Sequence, residues 1–384
     1  MAISLRCLFR SNFKLLNNNI LSPVSHNVTR SIYTPSALGM DGYTDTRKNT
    51  ASRFQSVSET FRAKMMEFIK EENKSLIFTE DLKAMLHIVE NNDDDINLLV
   101  KMLTKYNAQN NELRFGNYVF GPIVMRAFYF LDVPDVALQM FKDSTMSGFF
   151  DQLTSYQILL CLLFKHNKFV EMRETYDIIR TKNTGSVVHP HNSILVLLAG
   201  CYKENTPESF EYAMNIWSDL RKRGYEATRK SVCLMALLSI RQEKPEFAIE
   251  FLSNFALLRH IDIRCTKIEA FTACKRFVDI YHFLNKMLQS DKFIPGTTRP
   301  ITFFKDTIEN LEKALQENGP GNEDLQNLIN EMRIRNLIQD TTLVESLLQP
   351  IDRRAPTDNK NDPSRFPNRR NFQDFEQTKF SMRR

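Results

Sequence analysis

The sequence predicts an all-α fold in which helical hairpins stack into a solenoid, with further helices capping both ends. Three observations predict it. The 384 residues include only 11 glycines, too few for the tight turns of a β-sandwich or barrel, and their apolar and charged contents of 42% and 25% are those of a globular protein. A pattern of small, aromatic and glycine residues recurs about every 35 residues. Each copy follows an apolar segment long enough to form a second helix.

The recurring pattern is clearest in ALQMFKDSTMSGF at 137–149 and AMNIWSDLRKRGY at 213–225. Each segment begins with alanine, has an aromatic residue four positions later, and has a glycine eleven positions later. The positions equivalent to that alanine are Ala137, Met172, Ala213 and Ala248. Their intervals are 35, 41 and 35, and the polar segment KENTPESF at 203–210 is expected to absorb the six extra residues. Hairpins of this kind bury their apolar faces only by stacking on neighbours, which predicts a repeat array.

Helix starts and ends can be placed from prolines and capping residues. Pro134 and Pro245 each precede a small residue by three positions, where proline suits the first turn of a helix. Asp132 and Thr206 each lie just before such a helix and are expected to be N-caps. Asn183 is expected to replace the glycine that ends the second helix, because asparagine tolerates the left-handed conformation.

The N-terminus is basic and amphipathic, with no acidic residue before Asp41. Such a segment is typical of a mitochondrial transit peptide, assigned here to residues 1–38, with cleavage near TRSIYTPS; a disordered basic tail is the alternative. Its cations are Arg6, Arg10, Lys14 and Arg30. The 51 cations and 46 anions of the whole chain give +5, and removing these four leaves +1, so any anion-binding surface must be local. No apolar run reaches 18 residues, and no membrane span is predicted.

The remaining chain divides into four predicted regions. Amphipathic helices form an N-terminal cap at 50–115, followed by the repeat array at 116–292. Further helices at 300–349 are interrupted by the breaker NGPG. The polar segment at 350–384 is predicted to be a disordered tail.

The segment TSYQILLCLLFKHNKFVEMRETYDII resembles one unit of the pentatricopeptide repeat family, although Met172 departs from the usual alanine. The matching residues are Thr154, Tyr156, Leu159, Leu160, Lys165, Phe169 and Tyr176. The related tetratricopeptide repeat has a different period and an opening motif that is absent here. The resemblance implies a right-handed solenoid that binds single-stranded RNA in the mitochondrial matrix. It further implies a role in mRNA maturation, processing or stability, with the transcript of a complex III subunit as the expected target, alongside RNA-processing proteins and in support of the respiratory chain.

In that family a polar residue near the start of each first helix hydrogen-bonds a base. The matching residues are Gln157 and Asn192, whose amides offer both a donor and an acceptor. Pro122 and Cys233 occupy the position in other units and cannot recognise a base edge. Sequence preference is therefore expected to be weak. The alternative is that both amides are ordinary polar residues at helix starts.

Phosphate contact is predicted from RKRGYEATRK at 221–230. Its cations are Arg221, Lys222, Arg223, Arg229 and Lys230. Only Glu226 opposes them, and Tyr225 is available to stack on a base, so the segment could follow a single strand. A solvated turn, with cations favoured by the end of a helix dipole, is the alternative.

No catalytic or metal-binding pattern is predicted. Consecutive aspartates at 93–95 point in different directions on a helix start, whereas two-metal chemistry requires carboxylates that converge from separate elements. His189 and His191 lack a partner at helical spacing, and no CxxC motif occurs. We therefore expect neither a cofactor nor an enzyme.

Two functions remain from the sequence. The first is an RNA-binding factor for a mitochondrial mRNA. The alternative is a protein-interaction scaffold whose groove holds a helix or an extended peptide. Salt distinguishes them, because binding led by phosphate contacts weakens steeply with ionic strength.

Overall fold

A computed structural model gives the fold of the chain. It describes residues 31–70, 75–113, 118–182, 188–253, 260–290, 301–317 and 322–352. Most of the predicted transit peptide, the NGPG breaker, Asn183 and the predicted tail from residue 353 onward lie outside the described residues. Within the described ranges, no helix is both long and apolar enough to cross a membrane.

Seventeen α-helices make up most of the described chain, and this confirms the all-α helical-repeat solenoid. They are α1 Met40–Phe54, α2 Ser58–Phe68, α3 Thr79–Ile88, α4 Asp93–Leu113, α5 Gly121–Leu131, α6 Pro134–Lys142, α7 Leu153–Lys165, α8 Phe169–Thr181, α9 His191–Glu204, α10 Pro207–Lys222, α11 Arg229–Arg241, α12 Pro245–Ser253, α13 Ile261–Ala273, α14 Phe277–Ser290, α15 Lys305–Glu317, α16 Glu323–Ile334 and α17 Leu343–Leu348. A 3₁₀ turn spans Ser144–Met146, and two short strands, β1 Phe303–Phe304 and β2 Ile338–Gln339, pair in parallel.

Five hairpins form the array, and each pairs a first helix with a second helix. The first helices are α5, α7, α9, α11 and α13, which pack side by side in one row that continues to α15. Each second helix from α6 to α12 also contacts the first helix of the next hairpin, so it fills the groove between two neighbours. The small residues at these crossings, Ala137, Ala213 and Ala248, are completely buried.

Met172, the exception to the small-residue rule, is also buried. Gly200 on α9 makes room for it, because a Cβ at Gly200 would lie 3.0 Å from Met172 Cε and 3.3 Å from its Sδ. The large residue on the second helix is therefore matched by a glycine on the facing first helix.

Left-handed residues end both kinds of helix. Gly224 has φ of 69° after α10, as predicted, and the Tyr225 amide closes the end of α10 on the Leu220 carbonyl at 3.0 Å. Gly148 is also left-handed, with φ of 81°, but it does not end α6, which stops at Lys142 on the extended residue Asp143 and is followed by the 3₁₀ turn. The first helices end on left-handed residues that the sequence did not identify as helix ends: Asp132, Asn167, Asn205, Glu243 and Lys275. These five residues mark the repeat more regularly than the alanines do.

Two local predictions need correction and one is confirmed. Asp132 is the left-handed C-cap of α5 rather than an N-cap, and Val133 precedes α6 instead. Thr206 does cap α10, because its hydroxyl accepts from the Ser209 amide at 3.1 Å. KENTPESF contains only half of the six-residue insertion. The first three extra residues lie before α9, which begins 38 rather than 35 residues after α7. The other three lie at the start of α10, where the small residue is seventh rather than fourth as in α8.

The two ends of the described chain meet across the row of first helices. We name residues 31–39 together with 343–352 the strap. Tyr33 and Ile351 form a parallel bridge, in which the Ile351 amide donates to the Ile32 carbonyl at 2.9 Å and the Thr34 amide donates to the Ile351 carbonyl at 3.0 Å. The Thr34 hydroxyl adds a bond to Asp352 at 2.8 Å. The strap is part of the core, since Ile32, Tyr33, Leu38, Leu343 and Leu347 are all buried.

Candidate nucleic-acid interface

Most of the residues predicted to bind RNA lie along one edge of the array, near the amino-terminal ends of α7, α9 and α11. Gln157 is in the second turn of α7, and Asn192 is the second residue of α9. Their side chains bond directly, with Asn192 Nδ2 donating to Gln157 Oε1 at 3.1 Å. The segment that follows α10 brings Tyr225 to the same edge, where its ring centroid lies 6.0 Å from that of His191. We name this edge, from Gln157 through Asn192, His191, Arg223 and Tyr225, the rim.

Gln157 and Asn192 are not equivalent positions in their helices. Gln157 lies ten residues before the left-handed residue Asn167, whereas Asn192 lies thirteen before Asn205. The residue ten before Asn205 is Leu195, which is buried. Counting ten residues back from Glu243 and from Lys275 gives Cys233 in α11 and Cys265 in α13, and both are completely buried. Gln157 is thus the one polar residue at this position from α7 to α13.

Three of the predicted cations are exposed, and one of them, Arg223, belongs to the rim. Lys222 is exposed, while Arg221 pairs with Glu250 at 2.7 Å and Arg223 with Asp219 at 3.0 Å. The side chains of both arginines remain about half exposed. Ion pairs of this kind are worth little in water, so a phosphate can compete for these guanidinium groups.

The other two cations, Arg229 and Lys230, are half-buried and contact their own chain. Arg229 Nε lies 3.3 Å from the carboxylate of Asp262, which is buried. Lys230 Nζ donates to the Gln349 carbonyl of the strap at 2.8 Å, and burial lowers the pKa of this lysine. Sequence reasoning assigns both residues to RNA because it cannot see partners so distant in the chain. Their contacts fit a structural role: Lys230 holds the strap against α11, and Arg229 joins α11 to α13.

An open cleft of about 550 Å³ lies where α9 begins beside the turn from α10 to α11. It is lined by His191, Arg223, Gly224, Tyr225, Glu226, Ala227 and Thr228. The half-buried Tyr225 ring offers a flat apolar surface, and the Arg223 guanidinium lies beside it. An aromatic platform next to a cation matches the two parts of a nucleotide, the base and the phosphate.

A buried hydrogen-bond network lies next to two residues of this cleft, Tyr225 and Arg223, and sequence reasoning missed it. The completely buried His189 bonds Tyr176 through Nδ1 and Asp219 through Nε2, both at 2.8 Å. Burial raises the pKa of Asp219, but hydrogen bonds from His189 and Arg223 outweigh it and hold that pKa at about 2. Burial lowers the pKa of His189, against its bond to Asp219. Asp219 therefore stays charged and orients Arg223 towards the rim.

The residues considered for catalysis have structural partners. Asp95 is buried and binds Arg62 Nε at 2.9 Å, and the Asn92 side chain caps the start of α4 by accepting from the Asp95 amide at 2.7 Å. Asp95 is thus explained by helix capping and an ion pair. In the part of the chain that the structure describes, no three His, Cys, Asp or Glu side chains converge as a metal site.

Stacked helical hairpins with buried small residues at their crossings define a helical-hairpin repeat protein. The comparison with known proteins makes this more specific: the chain is similar to pentatricopeptide repeat-containing protein 2, mitochondrial, of several vertebrates. It is 25% identical to the Xenopus laevis protein over 242 residues, 30% identical to the Homo sapiens protein over 179 residues, and 30% identical to the Mus musculus protein over 251 residues. No family profile matches the chain.

The matches cover part of each protein. The match with the frog protein covers 62% of this chain and 62% of that protein. The human match covers 47% of this chain and 45% of that protein, and the mouse match covers 63% and 62%. The chain thus matches about half to three fifths of the length of these relatives. Their shared name confirms the resemblance to pentatricopeptide repeat proteins and supports a mitochondrial location.

Proposed function

We propose that the chain binds single-stranded RNA along the rim, in the mitochondrial matrix. The observation that carries the proposal is the cleft in which Tyr225 and His191 lie beside Arg223, next to the hydrogen-bonded amides of Gln157 and Asn192. Tyr225 stacks on a base, and Arg223 and Lys222 contact the phosphates on either side. Gln157 and Asn192 offer an amide to a neighbouring base edge.

The helix ends at this edge favour the same ligand. The residues before α7, α9 and α13 are Gln152, Pro190 and His260, and none accepts a capping hydrogen bond through its side chain. The amide groups at the start of a helix carry partial positive charge and bind phosphate readily. The start of α11 is different, because the Thr228 hydroxyl accepts from the Ser231 amide. A strand on the rim therefore passes the uncapped starts of α7 and α9 as well as the cations.

The biological role that we propose is maturation, processing or stabilisation of a mitochondrial mRNA, and through it respiratory-chain function. A complex III subunit transcript is the specific candidate. The chain itself supplies binding groups rather than catalytic ones, so it guards the strand or presents it to RNA-processing proteins. The relatives named as mitochondrial pentatricopeptide repeat proteins support this role.

The scaffold alternative is less favoured. It requires an open groove along the first helices for a helix or an extended peptide. The strap lies across that row, and ten consecutive residues of α9, at 193–202, are buried. The chain therefore covers part of the surface that such a partner would need.

Substitutions on the rim test RNA binding. We expect Lys222→Gln with Arg223→Gln, and separately Tyr225→Ala, each to weaken binding to a single-stranded RNA by about tenfold, through lost phosphate contact and lost stacking. The double substitution should also make the slope of log affinity against log salt shallower by about 1 to 1.5. Fluorescence anisotropy at several salt concentrations measures both quantities.

A matched control replaces two exposed lysines away from the rim, Lys48 on α1 and Lys101 on α4, with glutamine. The control removes the same charge and should leave the affinity nearly unchanged. If it weakens binding as much as the rim variant, attraction is general and the rim assignment is wrong. Ultraviolet crosslinking in intact mitochondria then identifies the transcript. If no RNA exceeds the background while a protein partner copurifies, the scaffold function replaces this one.

A further inference from the structure

The strap contacts one stripe of side chains on the first helices. On α5, Arg126 Nε donates to the Leu38 carbonyl at 2.9 Å, and the Tyr129 hydroxyl bonds Ser31. Burial raises the pKa of the Tyr33 hydroxyl, and the Cys161 thiol of α7 raises it further, so α7 is within electrostatic range of the strap. The amino-terminal half of the strap therefore packs on α5 and approaches α7.

The carboxy-terminal half of the strap covers the same stripe on later helices. Lys230 of α11 binds the Gln349 carbonyl, and Asp262 of α13 accepts from the Ser346 hydroxyl at 2.7 Å. Beside the strap, β1 covers α13, where the Phe304 amide lies 3.3 Å from Cys265 Sγ. Cys265 is one of the buried residues equivalent to Gln157. The stripe that contains Gln157 is thus occupied by the chain's own ends.

From this occupancy we infer that the strap confines RNA to the rim and remains closed when RNA binds. The inference rests on the proposed RNA-binding function and defines the kind of RNA that the chain accepts. Leu195, Cys233 and Cys265 lie buried where successive bases would need polar partners. One position, Gln157, remains able to discriminate a base on this stripe. The ligand is a short single-stranded segment, bound with little dependence on sequence beyond a single nucleotide.

A reversible lock on the strap tests the inference in the full chain. Thr34 and Asp352 are joined by a side-chain hydrogen bond at the junction of the two ends. The variant Thr34→Cys with Asp352→Cys is oxidised to tie the ends together, and its reduced form is the matched control. We expect the oxidised and reduced forms to bind RNA with affinities within about twofold. A loss of about tenfold or more on oxidation overturns the inference, because RNA would then need the strap to open.

Deuterium uptake gives a second measurement that needs no disulfide. Saturating the wild-type chain with RNA should leave exchange at 31–39 and 343–352 unchanged while it protects the segment around Tyr225. Faster exchange in the strap on RNA addition overturns the inference. If the wild-type chain binds no RNA at all, the proposed function fails instead, and the two failures are thereby distinguished.

Discussion

At the scale of single residues, the rim depends on a histidine that never reaches the surface. His189 connects Tyr176 on α8 to Asp219 on α10, and Asp219 in turn binds Arg223. Sequence reasoning considers His189 only as a metal ligand and rejects it. The pairing with Asp219 could not be predicted, because the two residues are 30 positions apart, with His189 in the segment before α9 and Asp219 near the end of α10.

This network predicts a pH dependence of stability. Because burial lowers the pKa of His189 in the folded protein, protonation is harder there than in the unfolded chain. Stability from this group is therefore present above the unfolded pKa of about 6.5 and is lost as pH falls below it. We expect His189→Gln to lower the melting temperature at pH 7.5 and to have a smaller effect at pH 5. Melting curves of both proteins across this range measure it.

Most other titrating groups are common to both proteins and cancel in the comparison; Asp219 is the exception, because His189 helps to hold its pKa low. A difference in melting temperature that is constant from pH 5 to pH 7.5 would show that His189 contributes through packing alone. In that case Asp219 alone would orient Arg223.

At the scale of elements, the sequence predicts the hairpins well and their register less well. The apolar segments, the prolines at helix starts and the glycine stops depend on neighbours in the chain, so they can be recognised locally. Matching Asn192 to Gln157 by counting 35 residues fails, because α9 begins 38 residues after α7. Counting from the left-handed residues Asn167 and Asn205 gives the correct register, since a turn fixes where its helix ends.

The large Met172 on α8 is accommodated by the small Gly200 on α9, and this pairing gives a prediction for the crossing of the two helices. We expect Met172→Ala to cost about 2 kcal/mol of unfolding free energy, because it leaves a cavity beneath Gly200. Adding Gly200→Ala should recover about 1 kcal/mol, as its methyl group enters that space and improves helix propensity. Urea unfolding of the two single variants and the double variant measures the coupling.

The single variant Gly200→Ala is the control for helix propensity. In the wild-type background its methyl group meets Met172 at 3.0 Å, so it should stabilise less than in the background that carries Met172→Ala. Equal effects in both backgrounds would show that the two sites are independent and that Gly200 is not needed to accommodate Met172.

At the scale of the whole molecule, the strap is the feature least accessible to sequence reasoning. It has no periodic pattern, and the Thr34–Asp352 bond that joins its halves spans 318 positions. Residues 31–38 belong to the predicted transit peptide, yet Ile32, Tyr33 and Leu38 are buried in the core. Cleavage after residue 38 would remove them. We therefore expect that, if the segment is cleaved, the cut lies before Ser31.

Two shortened chains test this boundary. A chain that begins at Ser31 retains the whole strap, and we expect it to melt at the temperature of the full chain. A chain that begins at Gly39 loses three buried side chains and the partner of Ile351, which should cost several kcal/mol. Calorimetry of both chains measures the difference. Equal melting temperatures would mean that the amino-terminal half of the strap contributes nothing to stability.

The junction of Tyr33 with Ile351 also bears on how the molecule is assembled in time. An open repeat array grows by contacts between successive units, so its first hairpins can settle before its last ones exist. Here the earliest described residues acquire their partner only when nearly the whole chain is present, and contacts of such separation form slowly. A chain interrupted during synthesis or import would hold its early hairpins with Ile32 and Tyr33 unpaired. Such a fragment would expose apolar surface at its amino-terminal end until the rest of the chain arrives.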